Sequence, residues 1–587
     1  MEPAFFAIAV LTVGAVAGRR RLALLTGPLF PVAVCVAAAW GLVTLPVLAV
    51  PNMAYLVALY PFVVTGLWVA LMGYVIHEHF AAWFNPAMLS VIAVGALVLR
   101  MKGLTHTSLW NDELLSVTQC DPGNSLSVML DQTLTRNGIP PLYFFLLWGW
   151  FQVVGLTEFT ARFPSVLIGV ACVPAMYLLG RRLARPGAGL IAALLIALNW
   201  VHLEQSQDAR PYGLLILMTV VAWLAFLRYL ETPSRKHTAY WALAAVLLVY
   251  THLFGWLVLM AQAVVLPVFA VEARGERCRR SWWRAVGVAA FTVICFMPYV
   301  PRMLASFNSP QFWPPKPTPL FFVDYFRTFF HDPGLALLCA ALIGALLVYA
   351  YTREGGYLAP GRLHRVLFLL AVWLVVGSFV PVIHSYNTPT SVMVFRYFLI
   401  LLPALLLLVA LAIDAVQYIP ARALLLALAG LLSALDIFAA GNYYERPSIQ
   451  EYRHLAEAVP AREDALYFAK EKQAFKFAFY LEQHNAGIAV HEAVPEVLRE
   501  VLVRHLDEAD LTIWILENVQ FYGVIEDPVF LAFVDRFLVH ERTIERRLVR
   551  ARAYHLDPKR RNDLRALLRK KTAQWPAVLT GGEAAQP

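Results

Sequence analysis

The stretch RYFLILLPALLLLVALAIDAV, residues 396–416, decides the class of this protein. Its only charges are Arg396 at the start and Asp414 near the end, and everything between them is apolar. A helix needs about 20 such residues to cross the hydrocarbon of a bilayer. There the backbone must satisfy its own polar groups, which a helix does. Comparable runs recur at about 4–18, 22–50, 53–76, 86–101, 164–180, 188–203, 212–230, 239–253, 254–271, 285–300, 334–351, 365–384 and 422–440. The composition agrees, with 60% hydrophobic and 15% charged residues and a mean hydropathy of +0.61. A soluble chain of 587 residues would not cover its core with so little charge. The expected fold class is a polytopic α-helical membrane protein of about 13–14 spanning helices.

The formal charge of +9 is no nucleic-acid footprint, because Lys and Arg gather in short loops between apolar runs. Arg181, Arg182 and Arg185 form one cluster, and Arg228, Arg235 and Lys236 another. Further along come Arg274 to Arg284, then Arg353, Arg362 and Arg365, then Arg422. These are every second connection, so the positive-inside rule makes them cytoplasmic and sends the intervening loops outward. The alternation closes only if the aromatic run 141–155 does not cross, which makes it an interfacial or re-entrant helix. Arg100 and Lys102 stand against the pattern, on the outward end of their run. At the N-terminus, Arg19 to Arg21 follow the first run, the reverse of a cleavable signal, so that run reads as a retained span. Six cysteines without a CxxC pair indicate neither a disulfide framework nor a thiolate metal site.

Three outward segments are long: 102–162, 301–333 and everything beyond Tyr443. In the last, charge rises, and short apolar strands at 465–469 and 511–516 alternate with amphipathic stretches such as 473–484. That pattern predicts a soluble α/β domain on the outer face. The expected organisation is 1–85 as extra N-terminal transmembrane helices, 86–443 as a transmembrane core, and 444–587 as the outer-face domain and tail.

Chemistry-bearing residues collect at the outward ends. Trp110-Asn111-Asp112-Glu113 puts two carboxylates beside the membrane, where they read either as a helix N-terminus or as a general base for a lipid-borne substrate. Ser206-Gln207-Asp208-Ala209-Arg210 reads either as an interfacial pair or as a site, since ionisable groups near lipid are costly. Arg396 and Tyr397 begin the opening run, and that guanidinium either clamps a phosphate or snorkels to head groups. His252, between two runs, is either a helix-end residue or a ligand. Sidedness derived from basic loops places Asp112, Asp208, Arg210, His252 and Arg396 on one face, so distant segments can build one pocket.

At these residues the chain resembles bacterial glycosyltransferase family 39, a GT-C group related to protein O-mannosyltransferases and to the lipid A aminoarabinose transferase. The resemblance spans about 90–444. Its motifs are Asp112-Glu113, Pro140-Pro141-Leu142-Tyr143, Arg162-Phe163-Pro164-Ser165, Ser206-Gln207-Asp208-Ala209-Arg210, Tyr250-Thr251-His252 and Arg396-Tyr397. Where the family has a histidine before Pro-Pro, this chain has Ile139, and it lacks the lysine that aminoarabinose transferases often carry there. The resemblance implies transfer of a sugar from a polyprenyl-phosphate carrier to an acceptor hydroxyl of a lipid, glycan or protein, at the outer face of the bacterial inner membrane. By the same analogy Asp112 is the base, and Glu113 and Asp208 orient it or the acceptor. Arg210 and Arg396 hold the phosphate, with Tyr397, His252 and Tyr143 as further binding residues. Relatives differ in using a divalent metal, so the metal stays open. Two other readings compete: a transporter or flippase of a lipid-linked saccharide, and a membrane scaffold whose C-terminal domain binds a partner. A transporter places ionisable groups near mid-membrane on broken helices, whereas here they collect at helix ends.

Overall fold

The computed structural model describes residues 85–569, apart from 135–137, 271–275, 308–313, 353–356, 360, 461, 463–464, 472, 485–487, 506–510 and 520–523, and also Leu579. The three expected N-terminal spans lie outside the described residues.

Each apolar run of the described core is helical. The first helix, α1, is Asn85–Met101. The loop after it holds α2 (Asn111–Gln119), α3 (Leu126–Gln132) and α4 (Leu142–Val154). Next come α5 (Glu158–Leu183), α6 (Pro186–Leu198), α7 (Trp200–Ser206), α8 (Tyr212–Glu231), α9 (Arg235–Thr251), α10 (Gly255–Ala270) and α11 (Glu276–Phe296). The core closes with α12 (Val300–Phe307), α13 (Phe321–Phe329), α14 (Pro333–Thr352), α15 (Arg362–Asn387), α16 (Leu402–Ala415) and α17 (Ile419–Leu435). Among the described residues seven helices are long and apolar enough to cross a membrane, or eight if the bent pair α6–α7 is one span. Helix α4, with 13 residues, rises only about 20 Å. That is short of the roughly 30 Å hydrocarbon core.

The opening stretch is the central pillar. Residues Phe395–Ala415, a 3-10 turn (Phe395–Leu401) leading into α16, are 89% buried inside the protein, against 28% for the peripheral Ile419–Ala439. Around the pillar α5 and α6 form a tight hairpin. A Cβ on Gly189 would stand 2.5 Å from the Tyr177 carbonyl oxygen, and one on Gly180 would stand 2.9 Å from the Gly189 Cα, so only glycine permits that approach.

The α6–α7 bend of 63° explains the misplaced Arg100. Its side chain is fully buried against the break. There it donates to the orphaned carbonyls of Ile196 (3.3 Å) and Ala197 (3.1 Å), to Ser206 Oγ (3.1 Å), and meets His202 Nδ1 at 2.6 Å. A guanidinium at the C-terminal end of α6 also suits the helix dipole. Arg100 violates the charge rule because it caps a broken helix rather than anchoring a loop.

At the other end of the pillar, Asp414 is buried and takes Arg185 Nε at 2.6 Å and the Tyr357 hydroxyl at 2.6 Å, with Arg422 at 3.8 Å. Arg185, Arg362 and Arg422, all from the basic loops, thus gather at one end, where Arg362 also donates to the Arg182 carbonyl. Asp112, Asp208, Arg210 and Arg396 gather at the opposite end.

Beyond Tyr443 the expected α/β domain is present. Its elements are α18 (Tyr452–Ala458), β1 (Ala465–Ala469), α19 (Ala474–His484), β2 (Val490–Glu492), α20 (Pro495–His505), β3 (Thr512–Asn518), α21 (Pro528–Phe537), β4 (Leu538–Arg546), β5 (Val549–Leu556) and α22 (Arg561–Leu568). The sheet order is β2-β1-β3-β5-β4, parallel across β2, β1 and β3 and antiparallel across β5 and β4. Alternate residues of β1 and β3 face opposite cores, as the two-residue period of a strand requires. Leu466, Phe468, Ile513 and Ile515 pack with α20, α21 and α22. Tyr467, Trp514 and Leu516 pack with α18 and α19 in a core that also holds Leu109, Leu114, Val117 and Phe144 of the 102–162 loop. One face of the soluble domain therefore shares its hydrophobic core with the loop that carries Asp112.

Candidate active site

Trp110 ends an extended segment and α2 starts behind it, so Asp112 and Glu113 occupy the first helical turn, where the dipole favours carboxylates. Consecutive helical residues diverge in direction, and the two carboxylates have different fates. Glu113 is 1% exposed. Arg162 grips it through Nε to Oε1 at 2.7 Å and Nη2 to Oε2 at 2.6 Å, and the backbone N–H groups of Ala209 (2.9 Å) and Trp110 (3.3 Å) complete its shell. The same guanidinium donates to the carbonyls of Leu104, Thr107 and Ser108. Every acceptor position of Glu113 is engaged, so this carboxylate ties the α2 turn to the 206–211 turn and to α5.

Asp112 is about a quarter exposed and takes Arg396 Nη1 on Oδ2 at 3.1 Å. Arg396 lies over the Trp110 ring (4.9 Å to the centroid) and the Tyr212 ring (5.3 Å), which fixes a cation between two aromatic faces. Arg210 is buried and donates to the Asp112 carbonyl (3.2 Å) and Ser116 Oγ (2.9 Å), with the Phe144 and Tyr212 rings each 5.9 Å away. Asp208 is 8% exposed and accepts from Trp110 Nε1 at 3.0 Å. Burial, aided by the Glu113 charge, pushes its carboxyl up to about 8.

His252 is brought to the same place and stacks near Tyr397 (4.7 Å) and Tyr212 (6.0 Å). Its Nδ1 accepts from the Phe254 N–H at 3.2 Å. Tyr397 packs on His252 and Phe254 as part of this aromatic wall. Tyr143 is 1% exposed, with its hydroxyl 3.0 Å from Ser165 Oγ, and holds α4 against α5 rather than lining the open face. Ile139, at the family's histidine position, is buried in the core shared with the soluble domain.

Four further residues were not among the candidate site residues read from sequence. Trp110 bridges Arg396 and Asp208, although it stands two residues before Asp112 in the chain. Gln450 accepts from the Asn111 N–H (2.8 Å) and from Ser108 Oγ (2.6 Å), and Ser448 Oγ accepts from the Ser108 N–H (3.0 Å). Lys476, on α19, is 5% exposed and lies within the electrostatic reach of Asp112. Among the described residues, no group of three His, Cys, Asp or Glu side chains is arranged to hold a metal ion.

Residues 139–301 match the family model of dolichyl-phosphate-mannose-protein mannosyltransferase. The apo structure of ArnT from Cupriavidus metallidurans superposes with a TM-score of 0.52 at 12% identity, covering 81% of this chain and 98% of that one. The fold is GT-C. The same protein bound to undecaprenyl phosphate gives a TM-score of 0.48 at 11% identity, over 81% of this chain and 98% of that one. The archaeal oligosaccharyltransferase AglB from Archaeoglobus fulgidus, in complex with an inhibitory peptide and a dolichol-phosphate, gives 0.46 at 13%, over 82% and 75%. No curated protein matches the chain in sequence. In GT-C terms, the matched segment 139–301 carries Arg162, Asp208, Arg210 and His252, while Asp112 and Arg396 come to the site from either side of it.

Proposed function

We propose that this protein transfers a sugar from a polyprenyl-phosphate carrier to an acceptor hydroxyl, with Asp112 as general base. The carrying observation is the division of labour between adjacent carboxylates. Glu113 is buried and saturated, whereas Asp112 is accessible and paired with a cation poised over two aromatic rings. In the reaction Asp112 takes the proton of the acceptor hydroxyl, whose oxygen forms a bond to the anomeric carbon. The bond from that carbon to the phosphate oxygen breaks, and polyprenyl phosphate departs with the electron pair. Arg396 exchanges its contact with Asp112 for the phosphate, and Arg210 adds its charge from behind, which stabilises the leaving group. Charge develops on the sugar as an oxocarbenium-like state, as in glycoside hydrolysis. The aromatic wall of Tyr212, Tyr397 and His252 excludes water from this step.

The reaction is assigned to the outer face, because the pocket lies at the end of the pillar opposite the basic loops. The core is read as 86–443 and the tail from 444 as an outer domain. The flippase reading gains a broken span in α6–α7, but Arg100 fills that break by donating to the carbonyls it exposes. The deciding experiment is Asp112→Asn with a purified polyprenyl-phosphate sugar. Transfer is expected to fall by about a thousandfold, in the middle of the range that general-base catalysis contributes, while the protein still accumulates in the membrane. Normal transfer by that variant removes Asp112 from the chemistry.

A further inference from the structure

We propose that Trp110 is a positioning residue for the donor phosphate: its ring holds Arg396 where that cation can exchange Asp112 for the phosphate, and its indole N–H holds Asp208. The inference rests on the transfer reading above. It adds a residue that works through Arg396 and Asp208 and does not itself touch the reacting atoms.

The backbone that carries this side chain is clamped. Trp110 is extended (φ −90°, ψ 175°) just ahead of α2. Its N–H donates to Glu113 Oε2 at 3.3 Å, and its carbonyl accepts from the Leu114 N–H at 2.9 Å. From there the indole reaches Asp208, 98 residues further along the chain, with Nε1 3.0 Å from Oδ1. A hydrogen bond at one edge of a rigid ring system fixes where its face looks. That face meets the Arg396 guanidinium 4.9 Å from the ring centroid, and Tyr212 supplies a second face at 5.3 Å.

Arg396 needs such a holder because its polar grip is slight. Its ion pair with Asp112 is a single contact of 3.1 Å, on a side chain that is 22% exposed. Arg162, which serves the architecture, makes two contacts to Glu113 and three to backbone carbonyls. A ring attracts a cation without cancelling its charge, and the attraction reaches to about 6 Å from the centroid. Arg396 can therefore leave Asp112 for the phosphate while it stays on the same rings. Its full charge is then available to the departing oxygen. A carboxylate in place of the ring would hold the guanidinium too, but would neutralise it and repel the phosphate. The indole N–H has a second task. Burial raises the Asp208 carboxyl, and the Trp110 hydrogen bond works against that rise by favouring the ionised form. Because an ionised Asp208 repels the phosphate, this N–H sets the pH at which donor binding begins to weaken. Phenylalanine would keep the ring and lose the N–H, whereas leucine would lose both.

The test measures the Kd of undecaprenyl phosphate for the purified full chain across pH, with undecaprenol as the control that lacks the phosphate. Trp110→Leu is expected to weaken undecaprenyl phosphate by about tenfold at neutral pH, the worth of one partly desolvated cation–π contact. Undecaprenol binding should not change. In an Arg396→Gln background the same substitution should cost less than about twofold, because its effect passes through the guanidinium. Trp110→Phe should keep the wild-type Kd at neutral pH and move the alkaline weakening of binding to higher pH. Unchanged affinity in Trp110→Leu, an equal loss in the Arg396→Gln background, or an alkaline profile unmoved by Trp110→Phe would each overturn the proposal. Trp110→Phe, which keeps the packing, carries the test if Trp110→Leu does not fold. Wild-type protein that binds undecaprenol as tightly as undecaprenyl phosphate would instead count against the transfer reading.

Discussion

Glu113 and Arg162 show how a site residue is recognised by what it is denied. Their ion pair is buried on both sides and carries further hydrogen bonds to five backbone groups, Trp110, Ala209, Leu104, Thr107 and Ser108. Removing one partner of such a pair leaves an uncompensated buried charge and costs about 3–5 kcal/mol. Glu113→Gln is therefore expected to lower the Tm markedly, read by thermal unfolding in detergent, whereas Asp112→Asn leaves it nearly unchanged. Equal Tm values for the two variants would contradict the roles assigned. Asp208 gives a pH signature. With its carboxyl raised to about 8, it is protonated and uncharged at neutral pH, and it ionises as pH climbs through that value. An ionised Asp208 repels the donor phosphate, so the KM for the polyprenyl-phosphate sugar should rise through this window. Asp208→Asn should flatten that rise, and a profile that persists in the variant would assign it to another group.

Among the elements, the broken pair α6–α7 does the most to shape the site. The 63° bend delivers Ser206 to Arg210 to the end of the bundle, and it stands because Arg100 caps the carbonyls that the break exposes. Gly169 leaves the room: a Cβ there would fall 2.1 Å from Ser206 Oγ and 3.0 Å from Arg100 Nε. Arg100→Met keeps the volume but strands those carbonyls and His202, at about 1–3 kcal/mol for each unsatisfied group. The expected result is a clear loss of thermal stability together with weaker donor binding, since the 206–211 turn loses its support. Unchanged stability would mean that the bend is self-sufficient. The hydropathy of α1 announces a membrane helix, but a buried arginine at its end has meaning only once its partner helix, about a hundred residues on, is in place.

At the scale of the molecule, the central feature is that the soluble domain is built into the loop that carries Asp112. Its β1–β3 face, α18 and α19 share one core with Leu109, Leu114 and Phe144, and Gln450 and Ser448 hold the backbone just before Asp112. Sidedness is testable on the linker that joins the two parts. Glu445 is exposed, and a cysteine in its place should react with a membrane-impermeant maleimide on intact cells. Labelling only after lysis would put the pocket on the inner face.

Sequence alone determined the membrane class, the order of helices and the gathering of Asp112, Asp208, Arg210, His252 and Arg396 at one end. Apolar length and the distribution of basic loops are one-dimensional properties that the bilayer reads directly. It also showed the strands of the C-terminal domain. The tertiary structure decided what burial and distance decide. It separated Asp112 from Glu113, which sequence treats as a pair. It set His252 against Tyr397, consumed Arg100 in a helix break and set Tyr143 against Ser165. It also buried Lys476, on a helix that packs against α2. No local pattern around Lys476 marks it, because its significance comes from desolvation and from a helix docked on α2. Those are properties of the packed molecule that the order of residues along α19 does not contain.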